Sequence, residues 1–318
     1  MKELLHTSDF DGFPLDLQQA MVADEQRVRA FERALNAAVR PGDTVVDVGS
    51  GTGILALLAL RAGAARVIAF ERSEIVEHAR ALLRKSYPDA NIEFVRLDVE
   101  REPLPEIEAD VLVCELLGNL GPEERLVPLL ARLRDALLKP GGRLIPERLK
   151  LCAAPVRSRT VYNELTTWSR PVSGFDLSVF QELAWNRVYH LQGEELELLA
   201  EPGAYTDLDL HTALAMPSGG ACEFLIHTAG ELHGVVAWFE AQLSRDVQLS
   251  TAPDAPVTHW GQVFFPTGPV LSVGVGDRLR FELQLASDDF EVEWSWKGEL
   301  NSAAGEEHAF EYLGRGST

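Results

Sequence analysis

The pattern of apolar and polar positions changes character near the middle of this 318-residue chain. Between residues 44 and 145, short apolar runs that suit buried strands alternate with longer segments of helical period. Strands are predicted at residues 44–48, 66–70, 92–97, 111–114 and 143–145, and helices at 54–62, 74–85 and 123–138. Such alternation is typical of βαβ units. The pattern therefore predicts an α/β fold with a parallel sheet that has helices on both faces.

Two flanking regions differ from this alternating one. Apolar residues recur at helical spacing through residues 15–40, and Pro41-Gly42 ends that segment. After residue 146, short and partly alternating runs follow one another, separated by clusters of turn residues. These runs lie at 149–153, 223–227, 235–243, 262–265, 278–285 and 291–296. They predict an antiparallel sandwich or barrel, interrupted by a more helical insertion at residues 156–184.

Composition narrows the class of protein. The apolar fraction of 46% is enough for a sizeable core, and no run of about 18 apolar residues is present. We therefore expect no membrane span, and the first six residues lack the apolar region of a signal peptide. Cys114, Cys152 and Cys222 are odd in number and lack metal-site spacing. They predict reduced thiols, a cytoplasmic location and no metal.

The formal net charge of −20 bears on the partners of the protein. Few cationic side chains are available to neutralise phosphates, so a nucleic-acid partner is not expected. The same charge favours association with cationic partners through long-range attraction. Solubility alone would also explain an acidic surface, and the charge does not decide between these two interpretations.

A glycine turn follows the first predicted strand, and it is the most informative motif. Its glycines are Gly49, Gly51 and Gly53. A strand, a glycine turn and a helix aim free backbone N–H groups at a ligand. Glu71 ends the next strand, where an acid suits a ribose diol. A dinucleotide fingerprint would place its third glycine at Ile54. Together with Asp47, the spacing therefore favours S-adenosylmethionine, although any parallel α/β domain can have glycines in this turn.

An acidic loop follows the strand at 111–114. Glu115 comes first, and Glu123 and Glu124 begin the next predicted helix. Gly118, Gly121 and Pro122 would let the loop turn back, so that two carboxylates could face one point and hold a planar guanidinium. Acids in a first helical turn are also favoured by the helix dipole alone. Glu115 is harder to explain in that way, because an acid that ends an apolar strand loses hydration.

Together with the late tripeptide Thr258-His259-Trp260, these motifs resemble the protein arginine methyltransferases over nearly the whole chain. An isolated His-Trp pair would usually be a packed aromatic. The glycine turn is common to many methyltransferases, whereas the two glutamates nine residues apart and the Thr-His-Trp tripeptide are much more specific. The resemblance implies a Rossmann-like S-adenosylmethionine-binding domain at 41–146, preceded by a helical segment at 1–40 that completes the cofactor site. A β-barrel-like substrate domain at 147–318 would follow, with a helical dimerisation arm at about 157–184.

The resemblance also implies a role for individual residues. Arg27 would bind the methionine carboxylate, and Glu71 the ribose hydroxyls. Glu115 and Glu124 would hold the substrate guanidinium in line with the methyl group, and His259 would help to accept the released proton. The remaining residues implied at the cofactor are Gln18, Asp47, Gly49, Gly51, Gly53, Val99 and Glu100. A head-to-tail homodimer, with residues 168–184 of one subunit on the cofactor domain of the other, is also implied.

The chain departs from the family pattern at several places, which leaves the acceptor and the product open. Gln18 replaces the usual histidine, the aromatic amino-terminal motif is absent, and the loop has Leu116-Leu117-Gly118-Asn119 in place of Trp-Met-Gly-Tyr. Arginine in a protein or peptide is the leading acceptor. Free arginine or another small guanidine, a non-guanidine acceptor and a low-activity cofactor-binding scaffold are the alternatives. Glu123 could replace Glu124 as the second loop carboxylate.

Overall fold

The computed structural model describes residues 15–121, 125–216, 218–287 and 292–315. Within these ranges, no helix is long and apolar enough to cross a membrane. The first part of the chain has the predicted alternation of strands and helices. Its elements are α1 (Leu15–Ala23), α2 (Glu25–Ala38), β1 (Thr44–Val48), α3 (Ile54–Arg61), β2 (Arg66–Glu71), α4 (Ile75–Ser86), β3 (Ile92–Arg96), β4 (Ala109–Cys114), α5 (Leu126–Leu137) and β5 (Leu138–Ile145).

The strands of this part form one parallel sheet in the order β3-β2-β1-β4-β5. Val45, Val46 and Val48 of the central strand β1 are fully buried, so both faces of the sheet are covered. Apolar residues of α2, α3, α4 and α5 belong to the same core. The carboxyl ends of β1, β2 and β4 therefore meet at one edge, where α/β sheets bind ligands. The α/β prediction is confirmed.

The helical period through residues 15–40 is divided between two helices, α1 and α2. Asp24 lies between them with φ −72° and ψ 90°, which is not a helical conformation. Its side chain accepts a hydrogen bond from the Arg27 amide at 2.9 Å and caps α2. Asp is a preferred residue for this position because its oxygen satisfies an unpaired amide of the first turn.

The last parallel strand differs from its predicted bounds of 143–145. It begins at Leu138 and includes the turn residues Pro140, Gly141 and Gly142. The pairing passes from Ala109–Leu138 to Val111–Arg143, so the extra residues of β5 form a large bulge. The helix predicted at 123–138 is observed from Leu126 to Leu137, and residues 122–124 lie outside the described ranges.

Antiparallel strands dominate the second part of the chain. Its elements are β6 (Arg148–Arg157), α6 (Arg159–Leu165), α7 (Gln181–Trp185), β7 (Tyr189–Leu191), β8 (Glu197–Leu198), β9 (Gly203–Asp209), β10 (Gly219–Leu225), β11 (Gly230–Ser244), β12 (Val247–Ser250), β13 (Gln262–Val273), β14 (Arg278–Ser287), β15 (Val292–Asn301) and β16 (Glu307–Arg315). Four of the six predicted runs lie within β6, β11, β13 and β14, and the runs at 223–227 and 291–296 overlap β10 and β15. The remaining strands were not predicted, because several are short or have mixed burial.

Two antiparallel sheets form this region. One has the order β7-β13-β11-β6-β8, with β12 paired to β11 and β9 to β6, and the other has the order β10-β14-β15-β16. Phe265 of the first sheet lies against Phe281, Trp294 and Trp296 of the second in a shared apolar core. The prediction of antiparallel sheets after the α/β region is confirmed, as is the helical insertion, which contains α6, two short 3₁₀ turns and α7.

The long strands β6 and β11 join the two regions. Leu149 and Leu151 of β6, with Phe239 and Ala241 of β11, belong to the core of the parallel sheet. Residues farther along the same strands pack between the antiparallel sheets. The two strands are paired from Arg148–Gln242 to Val156–Gly234. The predicted boundaries at 40/41 and 146/147 stay predictions.

Candidate active site

The glycine turn has the backbone conformation that its residues predict. Gly49, Gly51 and Gly53 have φ values of +70°, +50° and +83°, which favour glycine. A Cβ atom at Gly49 would lie 2.8 Å from Leu116 Cδ2, and one at Gly51 would lie 2.9 Å from Gln18 Oε1. Gln18 of α1 is buried, as expected for a residue over this turn. The turn is thus packed closely between α1 and the acidic loop. The expectation of free amides is wrong for its three glycines, since the amides of Gly49, Gly51 and Gly53 donate to Phe70, Glu71 and Ser50.

Glu71 lies at the end of β2, directly beside this turn. Its Oε2 accepts a hydrogen bond from the Gly51 amide at 2.9 Å, and its Oε1 accepts one from the Ser73 amide at 2.8 Å. The carboxylate is buried and held in one orientation. A carboxylate fixed in this way can accept hydrogen bonds from vicinal hydroxyls without first losing conformational freedom.

Asp47 is a fully buried acid in β1, two residues before Gly49. Neither of its carboxyl oxygens has a hydrogen-bond partner. Burial raises the pKa of Asp47 to about 7, and the nearby Ala56 amide, which makes no regular hydrogen bond to the carboxyl, acts against this shift together with the charge of Arg27. Glu71 and Glu115 are close enough to raise it further. Asp47 is therefore part of the same charged cluster as the predicted site residues.

Arg27 and Glu115 form a buried ion pair across the site. Arg27 Nε donates to Glu115 Oε2 at 2.7 Å, and Arg27 Nη2 donates to the same oxygen. Arg27 Nη1 donates to the Met21 carbonyl at 3.1 Å, and Glu115 Oε1 accepts from the Leu117 amide at 3.2 Å. The sequence assigned these side chains to two different ligands. The structure pairs them with each other.

His259 lies against the amino-terminal end of α2. Its backbone amide and its Nδ1 both lie 2.9 Å from Asp24 Oδ2, while Asp24 Oδ1 caps the helix. Burial acts to raise the pKa of Asp24, but the hydrogen bonds from His259 and Arg27 outweigh it, and the net effect lowers the pKa. A charged Asp24 fixes the proton of His259 on Nδ1, which leaves the lone pair on Nε2.

The acidic loop turns back on itself, as its glycines predict. Gly118 and Gly121 exchange two backbone hydrogen bonds of 2.9 Å. Trp260 Nε1 donates to the Leu117 carbonyl at 2.7 Å and so attaches the loop to the second region. Glu115 therefore lies at the start of a closed and anchored loop.

The remaining predicted residues are dispersed. Val99 is buried and its carbonyl accepts a hydrogen bond from Arg132 of α5, whereas Glu100 is exposed. Both follow β3, whose end lies beside Glu71. Glu123 and Glu124 lie outside the described residues, so their place in the site stays a prediction.

The structure adds residues that the sequence did not indicate. Asp24, Ser73, Leu116 and Leu117 each contact a predicted site residue. Asp24 could have been recognised as a helix cap from its position before Glu25. The other three act through backbone groups or apolar contact, which residue type does not reveal.

Two family models match the chain in succession. A methyltransferase domain matches residues 45–142, and the arginine methyltransferase oligomerization subdomain matches residues 147–299. The second match is specific, and it adjoins the first. The chain belongs to the protein arginine methyltransferase family. The parallel sheet followed by antiparallel sheets, as described above, is therefore the arrangement of a family member.

Individual members of the family are similar over most of the chain. Protein arginine N-methyltransferase 8-B of Danio rerio is 26% identical over 310 residues, which cover 93% of this chain and 74% of the relative. Protein arginine N-methyltransferase 6 of Xenopus laevis is 28% identical over 290 residues, which cover 86% and 85%. These identities are low, so the departures in the acidic loop are departures in a distant member.

Solved structures of the family have the same fold. A chain of the Trypanosoma brucei PRMT1 enzyme–prozyme heterotetrameric complex with AdoHcy matches with a TM-score of 0.82 at 20% identity, covering 94% of this chain and 98% of that one. Arabidopsis thaliana protein arginine methyltransferase 10 matches with a TM-score of 0.78 at 25% identity, covering 95% and 97%. The fold, including the two antiparallel sheets, is thus that of the arginine methyltransferases.

Proposed function

We propose that this protein transfers a methyl group from S-adenosylmethionine to a guanidinium nitrogen of arginine in a protein or peptide. The observation that carries the proposal is the buried contact between Glu115 and the guanidinium of Arg27, beside the glycine turn. Glu115 thus accepts guanidinium N–H groups from Arg27, which is the kind of hydrogen bond that the proposal assigns to it with the acceptor. A planar fork of donors is the group that such a carboxylate recognises best.

The described residues fit an adenosyl cofactor. The turn has no side chain at Gly49 or Gly51, where a Cβ atom would meet Leu116 or Gln18, so its backbone can come close to a ligand. Glu71 presents a fixed carboxylate at the end of β2, where a ribose would lie. When bound, the cofactor would supply an electrophilic methyl group on a positively charged sulfur.

Arg27 can serve the cofactor without leaving Glu115. A guanidinium has five N–H donors, and three of those of Arg27 are directed to Glu115 and to the Met21 carbonyl. The other two remain for the carboxylate of the methionine part. The ion pair would then join the cofactor to the acid that holds the acceptor, and the two reacting groups would share one rigid frame.

The acceptor guanidinium needs an orientation and a destination for its proton. Glu115 would fix the plane of the group and polarise it, together with Glu124 as the second carboxylate. The proton that leaves the attacking nitrogen would pass to a carboxylate, or to Nε2 of His259. Asp24 supports the second route because it holds the Nδ1 proton of His259 and stabilises the charged ring.

Methyl transfer to matched acceptors tests this function. Labelled cofactor is offered with an arginine-rich peptide, with free arginine, and with the same peptide carrying lysine in place of arginine. Label on the arginine peptide alone supports the proposal, and mass spectrometry of that product would give its methylation state. Label on free arginine would assign the protein to small-guanidine chemistry. Label on the lysine peptide would indicate a non-guanidine acceptor.

A matched pair of variants tests the role of Glu115. Glu115→Gln should lower transfer to the arginine peptide by roughly a thousandfold, since the neutral amide neither fixes nor polarises the guanidinium. Cofactor affinity should fall far less than transfer does, because the amide oxygen of Gln can still accept the hydrogen bonds of Arg27. Glu299→Gln, which makes the same change on an exposed strand position, should leave both quantities as they are. Full activity of Glu115→Gln would refute the assignment.

We also propose a head-to-tail homodimer in the cytoplasm. The helical insertion exposes Phe175, Val179 and Leu183 by 71%, 75% and 63% of their surface, which a partner subunit would cover. The oligomerization subdomain matches this region, and all three cysteines are buried thiols. Val179→Asp should give monomers by light scattering, whereas Val275→Asp, at a position that is 67% exposed, should not. An unchanged mass for Val179→Asp would count against the arm.

A further inference from the structure

Asp47 has an unusual place among the charged residues of the site. It is fully buried in the central strand, and its two oxygens have no hydrogen-bond partner. The strand residues beside it in the sheet are the apolar Ala69 and Val113. Most buried acids are paired or hydrogen-bonded, because an isolated buried charge is very unfavourable. The neighbours of Asp47 in the sheet therefore give no structural reason for an acid at this position.

Asp47 is instead coupled to the charges that surround the proposed cofactor site. Arg27 favours its ionised form, while Glu71 and Glu115 oppose it. These are the residues proposed for the cofactor and for the acceptor. A ligand charge placed among them therefore acts on Asp47 through a medium of low dielectric constant, where one charge changes the ionisation of another strongly.

The proposed cofactor and its product differ mainly in one charge. The sulfur of S-adenosylmethionine carries a positive charge, and the sulfur of S-adenosylhomocysteine is neutral once the methyl group has left. Both have the same adenosine, carboxylate and amine groups. An enzyme of this kind must bind S-adenosylmethionine and release S-adenosylhomocysteine. A group that responds to the sulfonium charge would let it hold the cofactor more tightly than the product.

We propose that Asp47 is a charge sensor that distinguishes the sulfonium cofactor from the neutral thioether product by losing or keeping a proton. This inference rests on the proposed function. In the ligand-free protein Asp47 carries its proton in a large fraction of molecules at neutral pH. Binding of the sulfonium form favours the carboxylate, and the proton passes to solvent. After methyl transfer the sulfur is neutral, and Asp47 takes a proton back from solvent as the product becomes less tightly held.

The direction of the pH dependence follows from this exchange. Burial raises the pKa of Asp47 to about 7 in the ligand-free protein, and a nearby cation must lower it. Affinity for the sulfonium form therefore increases as the pH rises through neutrality, while affinity for the thioether changes less. The ratio of the two affinities should increase roughly five- to tenfold between about pH 6 and about pH 8.

Calorimetric titration without any acceptor tests the inference. S-adenosylmethionine and S-adenosylhomocysteine are each titrated near neutral pH in two buffers of different ionisation enthalpy, which gives the number of protons released per ligand. The expected result is greater release with the sulfonium ligand. Asp47→Asn should remove the protons that Asp47 releases and should leave those released by the amino groups of the ligands. Asp110→Asn, on the neighbouring strand β4, should leave the difference intact.

Infrared difference spectroscopy on the unaltered protein keeps the inference testable if Asp47→Asn does not fold. The carbonyl band of a protonated carboxylic acid should disappear when the sulfonium ligand binds and should persist with the thioether. Equal proton release and equal band loss with both ligands would overturn the charge sensor while leaving the proposed function untouched. Failure of both ligands to bind would overturn the two proposals together.

Discussion

Arg27 of α2 and Glu115 after β4 share a buried ion pair in which Nε and Nη2 of the arginine both donate to Oε2 of the glutamate. The side chains are 7% and 4% exposed, so water does not screen their attraction. Each residue is the counterion that makes burial of the other possible. Glu115, which we propose holds the acceptor, and Arg27, which we propose binds the cofactor, therefore also stabilise each other in the fold.

Removal of Arg27 should destabilise the ligand-free protein strongly. Arg27→Met keeps the apolar stem but leaves Glu115 as an uncompensated buried charge, which costs about 3–5 kcal/mol. Urea unfolding measures this loss. Arg29→Met removes an ion pair with Glu25 whose side chains are 68% and 72% exposed, and it should have a far smaller effect. An equal loss of unfolding free energy in the two variants would mean that the buried pair stabilises the protein no more than the exposed pair does.

Replacement of Asp24 by asparagine should separate helix capping from chemistry. Asparagine caps a helix about as well as aspartate, so the helix content measured by circular dichroism should be unchanged. The charge that orients and stabilises His259 is lost, and kcat/KM for the arginine peptide should fall roughly a hundredfold.

The control for this variant is Asp16→Asn, in the exposed first turn of α1. It makes the same chemical change without a histidine partner, and its activity should equal that of the parent. Retention of activity by Asp24→Asn would exclude a role for the Asp24–His259 pair in proton transfer.

Trp260→Phe should loosen the acidic loop. The ring would still pack against Phe239, whose centroid is 5.2 Å away, but the hydrogen bond to the Leu117 carbonyl would be lost. An unpaired buried carbonyl costs about 1–3 kcal/mol. Because Glu115 begins this loop, KM for the arginine peptide should also rise.

Trp296→Phe provides a matched comparison, since Trp296 Nε1 donates to the Pro266 carbonyl at 2.8 Å inside the antiparallel core. Both variants should lose stability, and only Trp260→Phe should weaken acceptor binding. An equal KM in the two variants would show that the loop does not need its anchor.

His233 should make stability depend on pH at the base of the helical insertion. Its Nδ1 accepts the Ser158 amide at 3.0 Å and its ring stacks on Tyr162 at 4.5 Å, so the neutral form is required. Burial lowers the pKa of His233, with Arg157 and Arg159 adding to this effect and Glu231 opposing it. The unfolded chain then binds the proton more readily. Stability is therefore retained above about pH 6.5 and lost as the pH falls below that value.

Urea unfolding at about pH 7.5 and about pH 5.5 measures this dependence. His233→Gln, whose amide oxygen can accept the same hydrogen bond but does not titrate, should lose less stability between the two pH values than the parent does. His308→Gln, at an exposed position, should behave like the parent. A parent-like loss in His233→Gln would assign the pH dependence to other groups.

The parts of the site that are formed by residues close together in sequence could be predicted from the sequence. The strand, glycine turn and helix around Gly51 follow from local chemistry, as does the turn between Gly118 and Gly121. The position of Glu71 follows from the parallel sheet, because strand ends meet at one edge.

Long-range pairings could not be predicted in this way. Asp24 and His259 are 235 residues apart in sequence, and Arg27 and Glu115 are 88 apart. Each of these side chains has many chemically acceptable partners, and only the packed chain selects one of them.

The hydrogen bond from Trp260 to the Leu117 carbonyl spans 143 residues, and it has a consequence for synthesis of the protein. When residue 117 leaves the ribosome, the group that fixes its loop has yet to be translated. The acidic loop therefore stays unanchored until Trp260 has been translated and has folded against it. We expect an acceptor to bind at Glu115 only after that point.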